Sequence, residues 1–261
     1  VPTTADSAAP APQLAAAARV VQRDDGCLQV GIRPETSVRV TDTAPLRAAL
    51  AAIAHGERDA GNPELLAALD GSGLFAAPQP PGPFPVRVLG SLDGDVEGAL
   101  SLVGMRARPR ARLTLVLSTG EIDRGQLDPL VRADLPHLVL RAIDGVVVIG
   151  PFVVPGATAC LRCLDAHHSD EDAGYPIALE RYVAASAQPR EDGCLDVPDP
   201  GNTALALAWA ARDLRTFSNG GVPTTWSSTI SIGGVAAPIA AVAWQPHPDC
   251  GCRWFESALG A

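Results

Sequence analysis

The sequence predicts an α/β layer fold preceded by a small α+β domain, and three observations carry that expectation. From about Val86 onward short apolar strand patterns alternate with helix patterns, the order that packs helices onto a sheet. The stretch Pro78–Pro85 (PQPPGPFP) is mostly proline, so it forms neither a helix nor a central strand and divides the chain. Ahead of it lie two short strand patterns and two short helix patterns. The expected organisation is therefore an Ala/Pro-rich disordered tail over 1–17, a small domain over 18–77, a linker over 78–85 and a large domain over 86–261.

In the small domain Cys27–Ile32 and Ser37–Val40 alternate inward and outward residues on either side of the turn at Pro34, which predicts two strands. Pro45 opens a helix whose face of Leu46, Leu50 and Ile53 stays apolar to about His55. Asn62 caps a second helix with Pro63 at its first position and Leu65, Leu66 and Leu69 on its apolar face. Leu74 and Phe75 then pack back. Two strands with two or three short helices suggest a winged-helix-like unit, or else a plain packing subdomain.

In the large domain the expected strands are Val86–Leu89, Leu113–Leu117 and a hairpin of Leu138–Ala142 with Val146–Ile149 around Asp144-Gly145. Helices are expected around Val96–Val103, over Leu127–Arg132, and from a cap at Asn202 or Thr203 to about Phe217. Trp226–Ile232 and Ala237–Trp244 read as late strands.

The net charge of −9 and the pI of 5.0 argue against nucleic acid and against an anionic membrane surface as partners, because both need a positive field. A basic or apolar peptide fits better. No segment approaches the roughly 20 apolar residues of a membrane span; the run Val146–Val154 is interrupted by Gly150 and Pro151. The first residues lack a basic region ahead of an apolar one, so no signal peptide is expected, and the cytoplasm is the expected location. In that compartment the six cysteines suggest a metal site rather than disulfides.

Cys160-Leu-Arg-Cys163 and Cys250-Gly-Cys252 are two close thiol pairs. One turn presents two sulfurs in each, and together they make up the four ligands of a structural zinc site, closed to catalysis. A redox pair at Cys160 and Cys163 is the rival, disfavoured because such a pair follows a strand and opens a helix, whereas Pro155-Gly156 precedes this one. His247 is an alternative ligand; His167 and His168 read as solvated loop histidines. Cys27 reads as a buried small hydrophobe. Cys194 sits in the loop Gly193-Cys194-Leu195-Asp196 with no adjoining basic group to activate it.

A nucleotide loop would begin at Gly90 and would need glycine at positions 92 and 95. Those positions hold Leu92 and Asp95, with Asp93 and Glu97 nearby. A phosphate there would meet anions as well as free amides. No nucleotide is therefore expected.

Several motifs together resemble a known family. Ala133-Asp-Leu-Pro-His137, Val148-Ile-Gly-Pro-Phe-Val-Val-Pro-Gly156 and Thr158-Ala-Cys-Leu-Arg-Cys-Leu-Asp-Ala-His167 are similar to segments of the actinobacterial ThiF/E1-like proteins of thiazole/oxazole-modified peptide (TOMM) biosynthesis, the cyclodehydratase-associated, leader-peptide-binding type. His247-Pro-Asp-Cys-Gly-Cys252 resembles the family's closing H-P-x-C-x-C, and Leu28-Gln-Val-Gly31 the start of its N-terminal region. Asp172-Ala-Gly-Tyr-Pro176 resembles a D-P-x-W-P loop, departing from it at Ala173 and Tyr175. The resemblance implies an E1/ThiF-like Rossmann-type domain behind a leader-peptide-recognition domain. It implies a homodimer and a scaffold, not an enzyme by itself, that presents a ribosomal precursor to a partner YcaO-type cyclodehydratase. The alternatives are a ThiF-like ATP-dependent adenylyltransferase and a zinc-stabilised assembly or regulatory protein. The segment between Leu117 and Leu138 looks too short for the usual acidic and basic ATP contacts.

Overall fold

The structure, a computed structural model, describes residues 13–15, 18–57, 62–75, 83–186, 188, 198–233 and 238–252. The chain forms two compact units, Val1–Pro80 and Pro81–Ala261.

In the first unit β1 (Val20–Gln22), β2 (Cys27–Val30) and β3 (Val38–Thr41) form an antiparallel sheet in that order. Helices α1 (Ala44–His55) and α2 (Pro63–Gly71) follow. Leu28 and Val30 of the central strand share one core with Leu50, Ile53, Leu65 and Leu69. Each helix starts where a polar side chain takes an orphan amide: Thr43 accepts from the Leu46 N–H, and Asn62 Oδ1 accepts from the Leu65 N–H at 3.0 Å. Both helices begin with proline in the first turn, as the sequence predicts.

Two features of this unit were not expected. Strand β1 is three residues long and exposed throughout, so it carries no alternation to read. The N-terminal stretch also reaches the fold, for Leu14 bridges Phe75 and the Ala15 N–H donates to the Leu74 carbonyl at 2.7 Å. Cys27 is only half-buried.

The second unit runs β4 (Phe84–Gly90), α3 (Val96–Leu102), β5 (Met105–Ala107) and β6 (Thr114–Thr119). A 3-10 turn at Arg124–Gln126 and α4 (Asp128–Arg132) lead to β7 (His137–Ile143) and β8 (Val146–Val153). Then come α5 (Leu161–Glu171), α6 (Tyr175–Ser186), α7 (Pro200–Ser218), β9 (Ser228–Ile232) and β10 (Ile239–Ala243). The strands make one seven-stranded sheet ordered β10-β9-β8-β7-β6-β4-β5. The β5-β4-β6-β7 half is parallel and the β7-β8-β9-β10 half antiparallel.

The period-2 pattern assigns the two faces. Leu115, Leu117, Leu138, Leu140, Val147 and Ile149 face one way and share a core with Leu100 of α3 and Leu207 and Leu214 of α7. Val116, Val139 and Val153 face the other way, with Leu130 of α4 and Leu161 and Leu164 of α5. Helices therefore cover both faces, which is the layered α/β arrangement the alternation predicts. The hairpin closes where expected: Asp144 and Gly145 both have positive φ, 50° and 77°, the two-residue turn whose twist matches the flanking strands.

Four elements differ from expectation. Strand β4 begins at Phe84, inside the stretch read as a linker that could not join a central strand, and Pro85 stands in register with Arg106 of β5; β6 pairs only from Arg87 onward, so the proline sits where β4 has a neighbour on one side. Strand β5 is too short to leave a pattern. Helix α6 occupies a segment whose start, Asp172–Pro176, reads as a loop; none of its residues is buried, so it has no apolar stripe to announce it. The cap of α7 is Asp199, whose carboxylate accepts from the Asn202 N–H at 2.9 Å, rather than Asn202 or Thr203.

One buried carboxylate ties α7 to the sheet. Asp213 is 1 % exposed and accepts from the Thr224 and Thr225 amides and from both hydroxyls, the Thr225 one at 2.6 Å. Asp213→Ala strands four donors, and we expect a loss of about 3 kcal/mol, with Asp213→Asn losing less. Urea unfolding measures it; a change under about 0.5 kcal/mol would contradict this role.

Candidate metal site and neighbouring charge cluster

The loop after β8 is held by its own hydrogen bonds: Thr158 Oγ1 accepts from the Val154 N–H at 2.7 Å, and the Ala159 N–H donates to Ser227 Oγ at 3.0 Å. That fixes Cys160 as the residue that begins α5. Cys163 follows within the first turn, three residues on, so both sulfurs project from one side. The CxxC therefore does open a helix, contrary to the ground on which a redox pair was disfavoured. What separates the two readings is the second thiol pair.

That pair arrives from the segment after β10, where Gly251 at φ 43° lets Cys250 and Cys252 turn to the same point. The sulfur–sulfur distances are 3.8 Å for Cys160–Cys163, 3.5 Å for Cys160–Cys250 and 3.5 Å for Cys163–Cys252. A tetrahedron with metal–sulfur bonds of about 2.3 Å has edges of about 3.8 Å, whereas a disulfide needs about 2.05 Å. Four thiols this close, two of them fully buried, can hold a metal ion, and their spacing is compatible with zinc. Leu130, Val153, Leu161, Leu164 and Trp244 wall the site with apolar surface.

Without a cation the four groups share protons unequally. Hydrogen bonds from Cys160, Cys250 and Cys252 hold the Cys163 thiol far below its ordinary value. Contacts with Cys160 and Cys163 push Cys250 far above it. A bound dication would take all four as thiolates.

A second cluster, His167, Asp170 and His247, lies beside the first. His247 Nε2 and Asp170 Oδ2 are 2.9 Å apart, a hydrogen-bond distance shorter than the edge of about 3.4 Å that two ligands on zinc would leave. The Asp249 N–H donates to His247 Nδ1 at 3.2 Å, which leaves the proton on Nε2 for Asp170. His167 Nε2 donates to the Gln245 carbonyl at 2.8 Å. These contacts pin the C-terminal knuckle to α5. His167 and His168 thus belong to a helix rather than a loop, and His168 packs on Tyr175 and Trp244. His247 is not among the four groups that meet around the sulfurs. Cys194 lies outside the described residues.

At the end of β4, Gly90 has φ 75°, and a Cβ there would collide with the Leu117 carbonyl oxygen. This glycine serves the approach of two strands. Leu92 is 6 % exposed and belongs to the core. Asp95 caps α3, its Oδ1 accepting from the Gly98 N–H at 2.8 Å. A carboxylate thus occupies an amide that a phosphate would use in a Gly-rich loop.

Sequence reasoning missed a buried ionic cluster formed by Arg141 of β7, by Glu121 and Arg124 after the end of β6, and by Asp165 of α5. Glu121 accepts from Arg124 Nη1 at 2.6 Å and, through both oxygens, from Arg141 Nη1 at 2.7 and 2.6 Å. Asp165 of α5, two residues past Cys163, takes Nε and Nη2 of Arg124 at 2.7 Å each. Arg124 and Arg141 are 8 % and 6 % exposed. Burial by itself would raise the Glu121 carboxyl, but the charges of Arg141 and Arg124 outweigh it and hold the group below the usual carboxylate range. The signal was present: Arg141 is a charge in the middle of the apolar strand His137-Leu-Val-Leu-Arg-Ala-Ile143, and a central strand keeps such a residue only with a partner. The segment between Leu117 and Leu138, too short by its length for the usual ATP contacts, supplies Glu121 and Arg124 to this cluster.

No family model matches the sequence, and no curated protein does. Solved structures do. The heterocyclase TruD superposes with TM-score 0.61 at 15 % identity, over 92 % of this chain and 42 % of that one. A heterocyclase in complex with substrate and cofactor gives 0.58 at 15 %, over 90 % and 38 %. E. coli MccB with AMPCPP and MccA gives 0.55 at 12 %, over 93 % and 99 %. The chain spans about two fifths of the two heterocyclase chains. At these identities the likeness is one of architecture: this chain has the mixed α/β fold that TruD and MccB share.

Proposed function

We propose that this chain is a zinc-stabilised, non-adenylating scaffold of TOMM-type peptide biosynthesis. It binds a ribosomal precursor through the leader peptide and presents it to a separate YcaO-type cyclodehydratase. Zinc sits on Cys160, Cys163, Cys250 and Cys252 and is structural, because four protein thiolates leave no open position. The small unit, read as winged-helix-like, takes the leader. The E1-like unit acts as a homodimer in the cytoplasm.

The observation that carries the non-adenylating half is Asp95 seated on the Gly98 amide. A nucleotide phosphate would have to displace that carboxylate and then sit beside its charge. The peptide half is supported by the likeness to a heterocyclase bound to substrate and to MccB bound to MccA. It is also supported by the small unit itself. Strand β3 pairs only with β2 among the described residues, leaving an edge on which an extended peptide adds by main-chain hydrogen bonds. A separate hollow of about 520 Å³ lined by Leu14, Leu28, Leu50 and Arg47 offers apolar anchorage.

The test is a calorimetric titration of the full-length chain with precursor peptides encoded beside it. Binding at about micromolar Kd that survives removal of the core segment and is lost without the leader is the expected result. No binding by any neighbouring precursor would refute it. The second reading, an ATP-dependent adenylyltransferase, is favoured by the likeness to MccB over 93 % of this chain. Pyrophosphate exchange decides between them: the scaffold gives none with any acceptor peptide, and robust exchange would replace it with the enzyme.

A further inference from the structure

Arg141 lies two residues beyond Val139 on β7, so the strand's alternation turns it toward the same buried face. Its guanidinium is used on one side only. Nη1 donates to both oxygens of Glu121, while Nε is buried without a hydrogen-bond partner. Arg124, held by the same Glu121, is the control within the molecule: its Nε and Nη2 form a side-on fork filled by Asp165 at 2.7 Å on each arm. The equivalent fork of Arg141 holds nothing among the described residues. A charged N–H that is out of water and unpaired is unfavourable, and the fork's spacing matches the two oxygens of a carboxylate or phosphate.

We propose that the Nε–Nη2 edge of Arg141 is a receiving point for an oxyanion, a carboxylate or a phosphate bound side-on. Arg141 pairs with Ser118 in the last part of β6 and β7, two residues before β7 ends at Ile143, on the carboxyl-end side of the parallel strands where open α/β sheets bind their ligands. The cluster's two arginines and two carboxylates sum to zero, so fork geometry rather than net field holds the guest, and the affinity is about millimolar. Neither zinc binding nor leader binding is needed for this site.

The test is nuclear magnetic resonance of the full-length chain labelled with nitrogen-15 arginine. The Arg141 Nε–H signal, assigned through its own side chain, is followed while inorganic phosphate or acetate replaces chloride at constant ionic strength. A saturable shift of that signal, larger than that of any other arginine, is expected. Saturation by phosphate alone identifies a phosphate guest, and saturation by acetate as well identifies the broader carboxylate class. Calorimetry on Arg141→Lys, which keeps the charge and loses the fork, is expected to give about tenfold weaker binding. An unmoved Nε–H signal with both anions in the unaltered chain overturns the proposal, and so does equal affinity in a folded Arg141→Lys.

Discussion

Replacing Cys163 with serine is expected to abolish stoichiometric zinc and to cost the large unit roughly 3–5 kcal/mol. For a unit of this size that corresponds to a fall of about 10 °C in Tm. The reason is the geometry of the crosslink. Cys163 is fully buried at the start of α5, and its sulfur lies 3.5 Å from that of Cys252, from the far end of the chain. Among the described residues, the knuckle around Gly251 is otherwise tied to the fold by the His247–Asp170 and His167–Gln245 contacts and the apolar wall. With one thiolate gone, the remaining three lose the closed tetrahedron, and the C-terminal segment is left to hydrogen bonds worth about 1 kcal/mol apiece. Elemental analysis of the unaltered chain should find one zinc per polypeptide, and a strong chelator should lower Tm as the substitution does. A metal-free protein whose Tm ignores both chelator and Cys163→Ser would remove the metal from this account.

Glu121→Ala should be comparably severe, again about 3–5 kcal/mol, because it leaves two buried guanidinium groups facing one another without the carboxylate that bridges them. Glu121→Gln keeps an acceptor oxygen but not the charge and should lose about half as much. The pH dependence has a definite sign. The folded Glu121 carboxyl titrates below its ordinary value of 4.5, so its contribution is fully present above about pH 4.5 and is lost as the pH falls through the lower, folded value. Denaturant unfolding of the parent should therefore show stability falling below pH 4.5, and Glu121→Gln should flatten that limb while lowering the plateau at neutral pH. An acid limb of unchanged slope in the variant would assign the effect to other carboxylates.

These two sites differ in how much of them could be read in advance. The thiol pairs were plain as pairs, because each is local: three residues from Cys160 to Cys163, two from Cys250 to Cys252. Their suitability for one ion was an inference from ligand chemistry, and the structure brings the sulfurs together. The ionic cluster was not legible, although Arg141 in an apolar strand was a usable warning. Its members are separated by 20 residues from Glu121 to Arg141 and by 41 from Arg124 to Asp165, and no local period links them.

The sequence by itself determined the elements whose causes lie within a few residues. The prolines and the Asn62 cap placed α1 and α2, Asp144-Gly145 placed the β7–β8 hairpin, and Leu/Val alternation gave β6 and β7 their two faces. It did not determine α6, whose residues all stay partly exposed, or β1 and β5, whose three-residue lengths carry no pattern. Only the tertiary structure decided that Asp95 caps α3 by taking an amide of the degenerate loop, that Asp213 gathers Thr224 and Thr225, and that Glu121 joins two arginines. The physical reason is common to all of these. Helix caps, turns and alternation are short-range properties of the backbone, whereas buried charges and metal ligands are satisfied by whichever groups the packed layers bring within 3–4 Å, and that distance has no counterpart along the chain.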